Sequence, residues 1–180
     1  MKALVLGGAG FLGSNLARVC LRADGNSVLA VDSLDPKLQS SQDNLADISG
    51  DIEFRRGDIR DADFVREAVK GHDVVFNCAA QTSHPISLAE PVFDAEINCL
   101  GNLNVLEALR LENPEAVLVY PSTSTVIGKA VNPVIDESHM ERPLDIYSAH
   151  KSVAEKQCQI YSNVHNLKTV VLRFANLYGP

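Results

Sequence analysis

Three glycines near the start of the chain stand where an apolar strand meets a helix. Gly7, Gly10 and Gly13 are spaced G-x-x-G-x-x-G after the apolar run of residues 2–6, and apolar residues recur at helical spacing beyond them. Glycine permits a tight turn and lets a pyrophosphate approach the backbone, while the helix N-terminus offers N–H groups and a partial positive charge. The pattern predicts a dinucleotide-binding turn.

A second apolar run, residues 27–31, ends in Asp32. A carboxylate about 20 residues after such glycines can accept hydrogen bonds from the adenosine ribose, and it would repel a 2′-phosphate. The next residues, Ser33 and Leu34, bring no arginine. Asp32 therefore predicts NAD as the cofactor in preference to NADP.

Strands and helices are predicted to alternate along the chain. The strand predictions are residues 2–6, 27–31, 52–55, 74–77, 116–120 and 168–174. The helix predictions beyond the first are residues 61–70, 91–111 and 144–164, with residues 33–50 a polar loop holding at most one helical turn. This order predicts an α/β, Rossmann-type doubly wound parallel sheet, strand order 3-2-1-4-5-6, with helices on both faces.

Composition limits the class of protein. With 46% hydrophobic and 22% charged residues, the 180-residue chain is typical of one soluble, cytoplasmic domain. A net charge of -7 argues against nucleic-acid and anionic-membrane partners, and no signal peptide or membrane span is predicted. The cysteines show no metal-binding spacing and are predicted to be buried, reduced and without a metal: Cys20, Cys78, Cys99 and Cys158.

A tyrosine and a lysine lie one turn apart on the predicted helix of residues 144–164. Tyr147 and Lys151 form Y-x-x-x-K, and the i, i+4 spacing places both on one face. A nearby lysine favours the phenolate, so the sequence predicts a general base with a lowered pKa. The preceding strand end, YPSTSTVIG at residues 120–128, can present a hydroxyl to a substrate oxygen.

Taken together, these motifs carry a resemblance to a known family. The matching segments are GGAGFLGSNL, VDSL, GDIRD, NCAAQ, INCLGNLNVLEA, STSTVIG, YSAHK and LRFANLYGP. In their order and spacing the chain resembles the extended short-chain dehydrogenase/reductase superfamily, and within it the NAD-dependent nucleotide-sugar epimerase/dehydratase family. The resemblance covers essentially all 180 residues, as an NAD-binding domain. Members of the family continue into a smaller C-terminal substrate domain, which is expected to be absent from residues 1–180.

The resemblance also implies roles for individual residues. The implied catalytic trio is Thr123, Tyr147 and Lys151, and the implied substrate-binding residues are Thr123, Ser124 and Asn176. The implied cofactor-binding residues are Gly7, Gly10, Phe11, Leu12, Gly13, Asp32, Asp58, Ile59, Cys78, Ala79, Ala80, Gln81, Asn98, Tyr147 and Lys151. Asp58 and Ile59 are expected at the adenine, and Asn98 is expected to brace the catalytic helix. The expected partners are a nucleotide sugar and a second copy in a homodimer.

The activity implied by the resemblance is epimerisation through a transient keto-sugar, and a UDP-hexose inverted at C4 is favoured. Related dehydratases carry Asp-Glu directly after the catalytic threonine, and related decarboxylases carry Glu at the second of these positions. Here the residues are Ser124 and Thr125, which favours an epimerase. A dehydratase, a decarboxylase, a reductase and a non-catalytic NAD-binding module stay open as alternatives.

Overall fold

The strands form one parallel sheet. The structure is a computed structural model that describes residues 1–131 and 134–179, so residue 180, the last of the LRFANLYGP motif, lies outside the described part. The sheet order is β3-β2-β1-β4-β5-β6, and every neighbouring pair is parallel. The strands are β1 (Lys2–Leu6), β2 (Ser27–Asp32), β3 (Glu53–Arg56), β4 (Val74–Asn77), β5 (Val117–Thr123) and β6 (Lys168–Phe174). The predicted fold class and strand order are confirmed.

Helices cover both faces of this sheet. They are α1 (Phe11–Leu21), α2 (Ala62–Ala68), α3 (His84–Ala89), α4 (Pro91–Ala95), α5 (Asn102–Glu112) and α6 (Ile146–His165). Successive side chains of a strand point to opposite faces. Accordingly, Leu4 and Leu6 of β1 pack in the core cluster that includes buried residues of α2, α5 and α6. Ala3 and Val5 pack with Ala17 of α1 on the other face.

The long helix predicted for residues 91–111 is divided in the structure. Between α4 and α5 lies a π-helical segment, Glu96–Gly101, and its wider turn changes which side chains face inward. Leu100 is 56% exposed, whereas Asn98 and Asn102 are buried. A Cβ at Gly101 would lie 2.6 Å from Cδ1 of Ile59. The missing side chain therefore lets this segment pack closely against the loop after β3.

The sequence patterns did not predict two further helical segments as the structure has them. Helix α3 was not predicted, although Ser83 caps it by accepting a hydrogen bond from the Ile86 amide and proline follows at the start. Part of the polar loop at residues 33–50 forms a 3₁₀ helix, Gln42–Ile48, which exceeds the single turn expected there. Helix α3 borders the cleft described below through His84.

Small side chains bring α1 close to the sheet. Its buried residues are Gly13, Ser14, Ala17 and Cys20, while Phe11 and Val19, which helped to predict the helix, are 43% and 54% exposed. A Cβ at Gly13 would collide with the Gly7 carbonyl. The glycine at that position therefore allows the N-terminal turn of α1 to lie directly on the turn after β1.

The expectation of four buried cysteines is only half correct. Cys20 and Cys158 are buried, whereas Cys78, which lines the cleft, and Cys99 are partly exposed; all four thiols are free. Over residues 1–131 and 134–179, no three His, Cys, Asp or Glu side chains are grouped to hold a metal ion. Within the same part of the chain, no helix is both long and apolar enough to cross a membrane.

Candidate active site

A cleft of about 500 Å³ opens at the carboxyl ends of the strands. This is the position at which open α/β sheets bind ligands. Most of the predicted site residues line it: Gly7, Gly10, Phe11, Leu12, Gly13, Asp32, Asp58, Ile59, Cys78, Ala79, Ala80, Thr123, Tyr147, Lys151 and Asn176. Three others, Gln81, Asn98 and Ser124, are not part of its wall. The fold thus gathers residues from across the whole sequence into one cavity.

The glycine turn after β1 leaves no room for side chains. Gly7 has φ +74, and a Cβ on it would lie 2.6 Å from the Ala79 amide nitrogen. The Gly10 amide donates to the Gly7 carbonyl at 3.1 Å, which closes the turn before α1. Backbone exposed in this way at a helix N-terminus is suited to a pyrophosphate. The geometry therefore fits a dinucleotide cofactor.

Asp32 lies at the end of β2 with its carboxylate held in place. Oδ2 accepts from the Ala9 amide at 3.0 Å, and Oδ1 accepts from the Leu34 amide and from Ser40 Oγ, both at 2.9 Å. The residue is only 5% exposed in total. These three donors orient the carboxylate at the cleft wall, where the sequence predicted a ribose contact.

The sheet places an arginine opposite Asp32, and the sequence around Asp32 did not indicate it. Arg56 of β3 is the register partner of Asp32, and its Nε donates to the Ser33 carbonyl at 3.1 Å. The guanidinium is thereby tied to the backbone and is not among the residues of the cleft wall. The residues that directly follow Asp32 in the sequence therefore do not include every cation near it in the fold.

Asp58, expected near the adenine, is paired with an arginine. Arg60 Nη2 lies 2.6 Å from Asp58 Oδ2 and 3.1 Å from Asp35 Oδ2. Burial acts to raise the pKa of Asp58, but hydrogen bonds from Arg60 outweigh it and hold the pKa below its usual value. Asn104 Nδ2 donates to the Ile59 carbonyl at 2.9 Å. The loop carrying Asp58 and Ile59 is thus fastened to α5.

The catalytic pair predicted on α6 is buried at the cleft wall. Tyr147 is 8% exposed and Lys151 is 3% exposed, and Asp145 caps the helix by accepting from the Ser148 amide at 2.7 Å. Lys151 Nζ donates to the Pro121 carbonyl at 2.7 Å and lies 4.1 Å from the centroid of the Tyr120 ring. The lysine is therefore fixed to the end of β5.

The prediction that neighbouring residues lower the pKa of Tyr147 is wrong. Burial raises the pKa of Tyr147 to about 12, and the carboxylates of Asp94 and Asp145 act in the same direction. Burial also lowers the pKa of Lys151 to about 8. Because desolvation disfavours both charged forms, the i, i+4 spacing of the pair does not by itself produce a phenolate.

Hydroxyl groups connect the end of β5 to α6. Thr123 Oγ1 lies 3.1 Å from Thr125 Oγ1, and Ser148 Oγ donates to Thr125 Oγ1 at 2.8 Å. Thr123 also caps the short 3₁₀ helix Ser124–Ile127, accepting from the Thr125 amide. Thr123 and Tyr147 therefore present hydroxyls to the same end of the cleft, while Ser124 lies outside its wall.

A buried polar network behind the cleft was missed by sequence reasoning. Asp94 of α4 is fully buried and accepts from Gln81 Nε2 and His150 Nδ1, both at 2.6 Å. Asn98 Nδ2 donates to the Gln81 carbonyl at 2.9 Å. Gln81 is thus tied to Asp94 and Asn98, and Asp94 links α4 to α6 through His150. The bracing of α6 by Asn98 and a direct cofactor contact of Gln81 and Asn98 remain predictions. The available signal was the presence of Asp94 and Asn98 among the apolar residues of the helix predicted for residues 91–111.

Comparison with known proteins identifies the family. The model of the NAD dependent epimerase/dehydratase family matches residues 3–180. The chain belongs to this family. The resemblance predicted from the motifs is confirmed, and so is NAD, on which the family depends.

Individual epimerases of the family are similar along the whole chain. The chain is 32% identical to a putative UDP-glucose 4-epimerase of Methanocaldococcus jannaschii, over 98% of this chain and 56% of that protein. It is 34% identical to the CDP-paratose 2-epimerase of Salmonella typhi, over 99% of this chain and 58% of that protein. It therefore spans little more than half the length of these relatives.

A solved member of the family has the same fold. The crystal structure of Thermus thermophilus UDP-glucose 4-epimerase in complex with NAD superposes with a TM-score of 0.88 at 35% identity, covering 100% of this chain and 57% of that one. The match includes all of the elements that form the cleft.

Asp32 is expected to make this member of the family selective for NAD. NAD should bind much more tightly than NADP, because a 2′-phosphate would meet the carboxylate at close range. Asp32→Ala should weaken NAD binding and reduce the preference. Ser40→Ala is the matched control, since it removes one hydrogen bond to Asp32 and leaves the charge. Calorimetry with both cofactors measures the ratio, and equal affinities in the unchanged protein would disprove the assignment.

Proposed function

We propose that the protein containing this chain epimerises a nucleotide-activated sugar, a UDP-hexose at C4, with NAD as its resident cofactor. The observation that carries the proposal is that Thr123, Tyr147 and Lys151 line the same cleft as the glycine turn and Asp32. A module that only binds NAD has no need for hydroxyl groups and a buried lysine at that place. The match to epimerases along the whole chain supports the same interpretation.

Each of the three side chains has a role in the proposed reaction. Bound NAD supplies the acceptor and then the donor of a hydride. Tyr147 takes the proton from the sugar hydroxyl, Thr123 hydrogen-bonds the same oxygen, and Lys151 holds a positive charge beside both. With the hydride chemistry supplied by NAD, the keto-sugar would turn over in the cleft, and Tyr147 would return the proton to its oxygen.

The protein groups around Tyr147 indicate how this base is controlled. With burial raising its pKa to about 12, Tyr147 is protonated at neutral pH. The added positive charge of an oxidised nicotinamide would favour the phenolate, as would a charged Lys151. We infer that Tyr147 becomes an effective base only when the cofactor is bound. Proton removal from the sugar then depends on the presence of oxidised NAD.

The surroundings of Thr123 favour epimerisation over elimination. Elimination of water requires its own acid and base next to the sugar. Thr125 is engaged by Ser148 and Thr123, and the carboxylates that act on Tyr147 are bonded to histidines, Asp94 to His150 and Asp145 to His84. Neither Asp94 nor Asp145 lines the cleft. Among the described residues of the cleft wall, Thr123 is therefore not followed by a carboxylate pair, and the titratable side chain beside Tyr147 there is His84.

Product analysis in deuterated water tests the proposal. The protein at its full natural length is loaded with NAD and incubated with UDP-, CDP- and dTDP-sugars. We expect a UDP-hexose and its C4 epimer to interconvert with no deuterium at the inverted carbon and no net change in NADH, because the hydride never leaves the site. A 4-keto-6-deoxy product would indicate a dehydratase, carbon dioxide a decarboxylase, and NADH formed in proportion to an oxidised sugar a reductase running in reverse. Each of these results would overturn the proposal.

A further inference from the structure

A histidine stands at the cleft wall beside the proposed base. His84 is the first residue of α3 and lines the cleft together with Tyr147 and Thr123. Its ring meets the Tyr147 ring edge-on, with the centroids 4.9 Å apart and the planes at 73°. The contact places His84 at the reacting end of the cleft, far along the strand ends from Asp32.

One nitrogen of this ring is fixed by a carboxylate. His84 Nδ1 lies 2.5 Å from Asp145 Oδ2, and Asp145 Oδ1 accepts from the Ser148 amide. Burial acts to raise the pKa of Asp145, but hydrogen bonds from Ser148 and His84 hold it below its usual value. An ionised carboxylate only accepts hydrogen bonds, so Nδ1 must be the donor.

The other nitrogen is left for a ligand. With Nδ1 bonded to Asp145, Nε2 is at the far edge of the ring, and it makes no hydrogen bond to any of residues 1–131 or 134–179. The His84 side chain is 43% exposed, and the cleft is the cavity that it borders. Anchoring one nitrogen orients the other, as second partners do for histidines in binding sites.

We propose that His84 is a substrate-binding residue whose Nε2 hydrogen-bonds an oxygen of the sugar next to the carbon that reacts at Tyr147. The inference rests on the proposed function and extends it to a specificity-determining contact. The ligand chemistry is that of a sugar hydroxyl, which can donate to a neutral ring or accept from a protonated one. Asp145 thereby has two tasks, since it caps α6 and aims His84 into the cleft.

Three substitutions distinguish sugar binding by His84 from packing on Tyr147 and from the bond to Asp145. His84→Gln places an amide near the position of Nε2, His84→Asn places one near Nδ1, and His84→Phe keeps the aromatic contact with Tyr147 but has no polar atom. Affinity for a UDP-hexose is measured by calorimetry in the NAD-loaded, full-length protein, with kcat and KM for epimerisation alongside. NAD affinity and Tm, determined for each variant, verify that the fold and cofactor site are intact.

We expect His84→Phe and His84→Asn to weaken UDP-hexose binding and raise KM by about tenfold, the effect of leaving a polar partner unpaired. His84→Gln should recover much of this loss, and NAD affinity should not change. Full binding by His84→Phe would show that the ring only packs on Tyr147. Full binding by His84→Asn would show that it only anchors Asp145. Either result overturns the proposal.

The two proposals fail in different ways. If the unchanged protein binds a UDP-hexose without epimerising it, the proposed function is wrong, while the three variants still test the His84 contact by affinity. If it epimerises normally and all three variants match it, only the role of His84 is wrong. If the NAD-loaded protein binds no UDP-hexose, both are overturned.

Discussion

Tyr147→Phe should lower kcat for epimerisation by about 10²–10⁴-fold, the range typical of removing a general acid–base. The substitution deletes one hydroxyl and keeps the ring, including its edge contact with His84. NAD affinity should remain nearly unchanged because the glycine turn and Asp32 are untouched. Steady-state kinetics on the full-length protein, with calorimetry for NAD, measure the two effects separately.

Tyr161→Phe provides the matched control on the same helix. Tyr161 also lies on α6, but its hydroxyl donates to Glu107 Oε1 at 2.5 Å, outside the cleft wall. Its loss should leave kcat and KM unchanged. A Tyr147→Phe protein with a normal rate would remove Tyr147 from the mechanism, and an equal loss in both variants would indicate a general effect on α6.

The pH dependence of the same reaction follows from the environment of Tyr147. Raising the pH converts phenol to phenolate, so kcat/KM should rise with pH up to the pKa of the base in the NAD-loaded protein. Among the protein's own groups, burial raises the pKa of Tyr147 to about 12. Loading with oxidised NAD should bring the rising limb to lower pH. A limb that stays near pH 12 would show that the cofactor does not activate Tyr147.

Gly7→Ala should disrupt the cofactor end of the cleft. The methyl group would lie 2.6 Å from the Ala79 amide nitrogen and 2.7 Å from the Cys78 carbonyl carbon, at a residue with φ +74. Because both contacts are with backbone, β1 and β4 cannot relax by a simple side-chain rotation. We expect a lower Tm and at least about tenfold weaker NAD binding, which corresponds to ~1.4 kcal/mol.

Gly25→Ala isolates the effect of crowding from that of the backbone angle. Gly25 has φ +78 and nothing within 4 Å of an added Cβ, so it shares the positive φ without the collision. Gly7→Ala should therefore cost about 1–3 kcal/mol more in the free energy of unfolding, the usual cost of overpacking. NAD affinity should fall in Gly7→Ala alone. Equal losses in the two variants would show that close packing at Gly7 is unimportant.

The sequence was sufficient to predict the fold and the residues of the glycine turn, Asp32, Tyr147 and Lys151 as part of one cleft. Continuous apolar runs predict buried parallel strands, and their alternation with helices leaves few topologies. The glycine turn, Asp32 and the pair of Tyr147 and Lys151 are local patterns, so their spacing along the chain already carries the geometry that they need. The tertiary structure needed only to bring these local patterns together, which a parallel sheet does because its strands all end at the same edge.

The tertiary structure alone decided the electrostatics of the base and the polar groups around it. Asp94 with His150, and Asp145 with His84, are brought together by packing between α3, α4 and α6, and no spacing along the chain indicates such pairs. Arg56 is placed opposite Asp32 only by the register of β2 and β3. The pKa of Tyr147 depends on how much water the fold removes and on which carboxylates it brings near. Burial and distance between remote segments determine these quantities, and they exist only once the chain has folded.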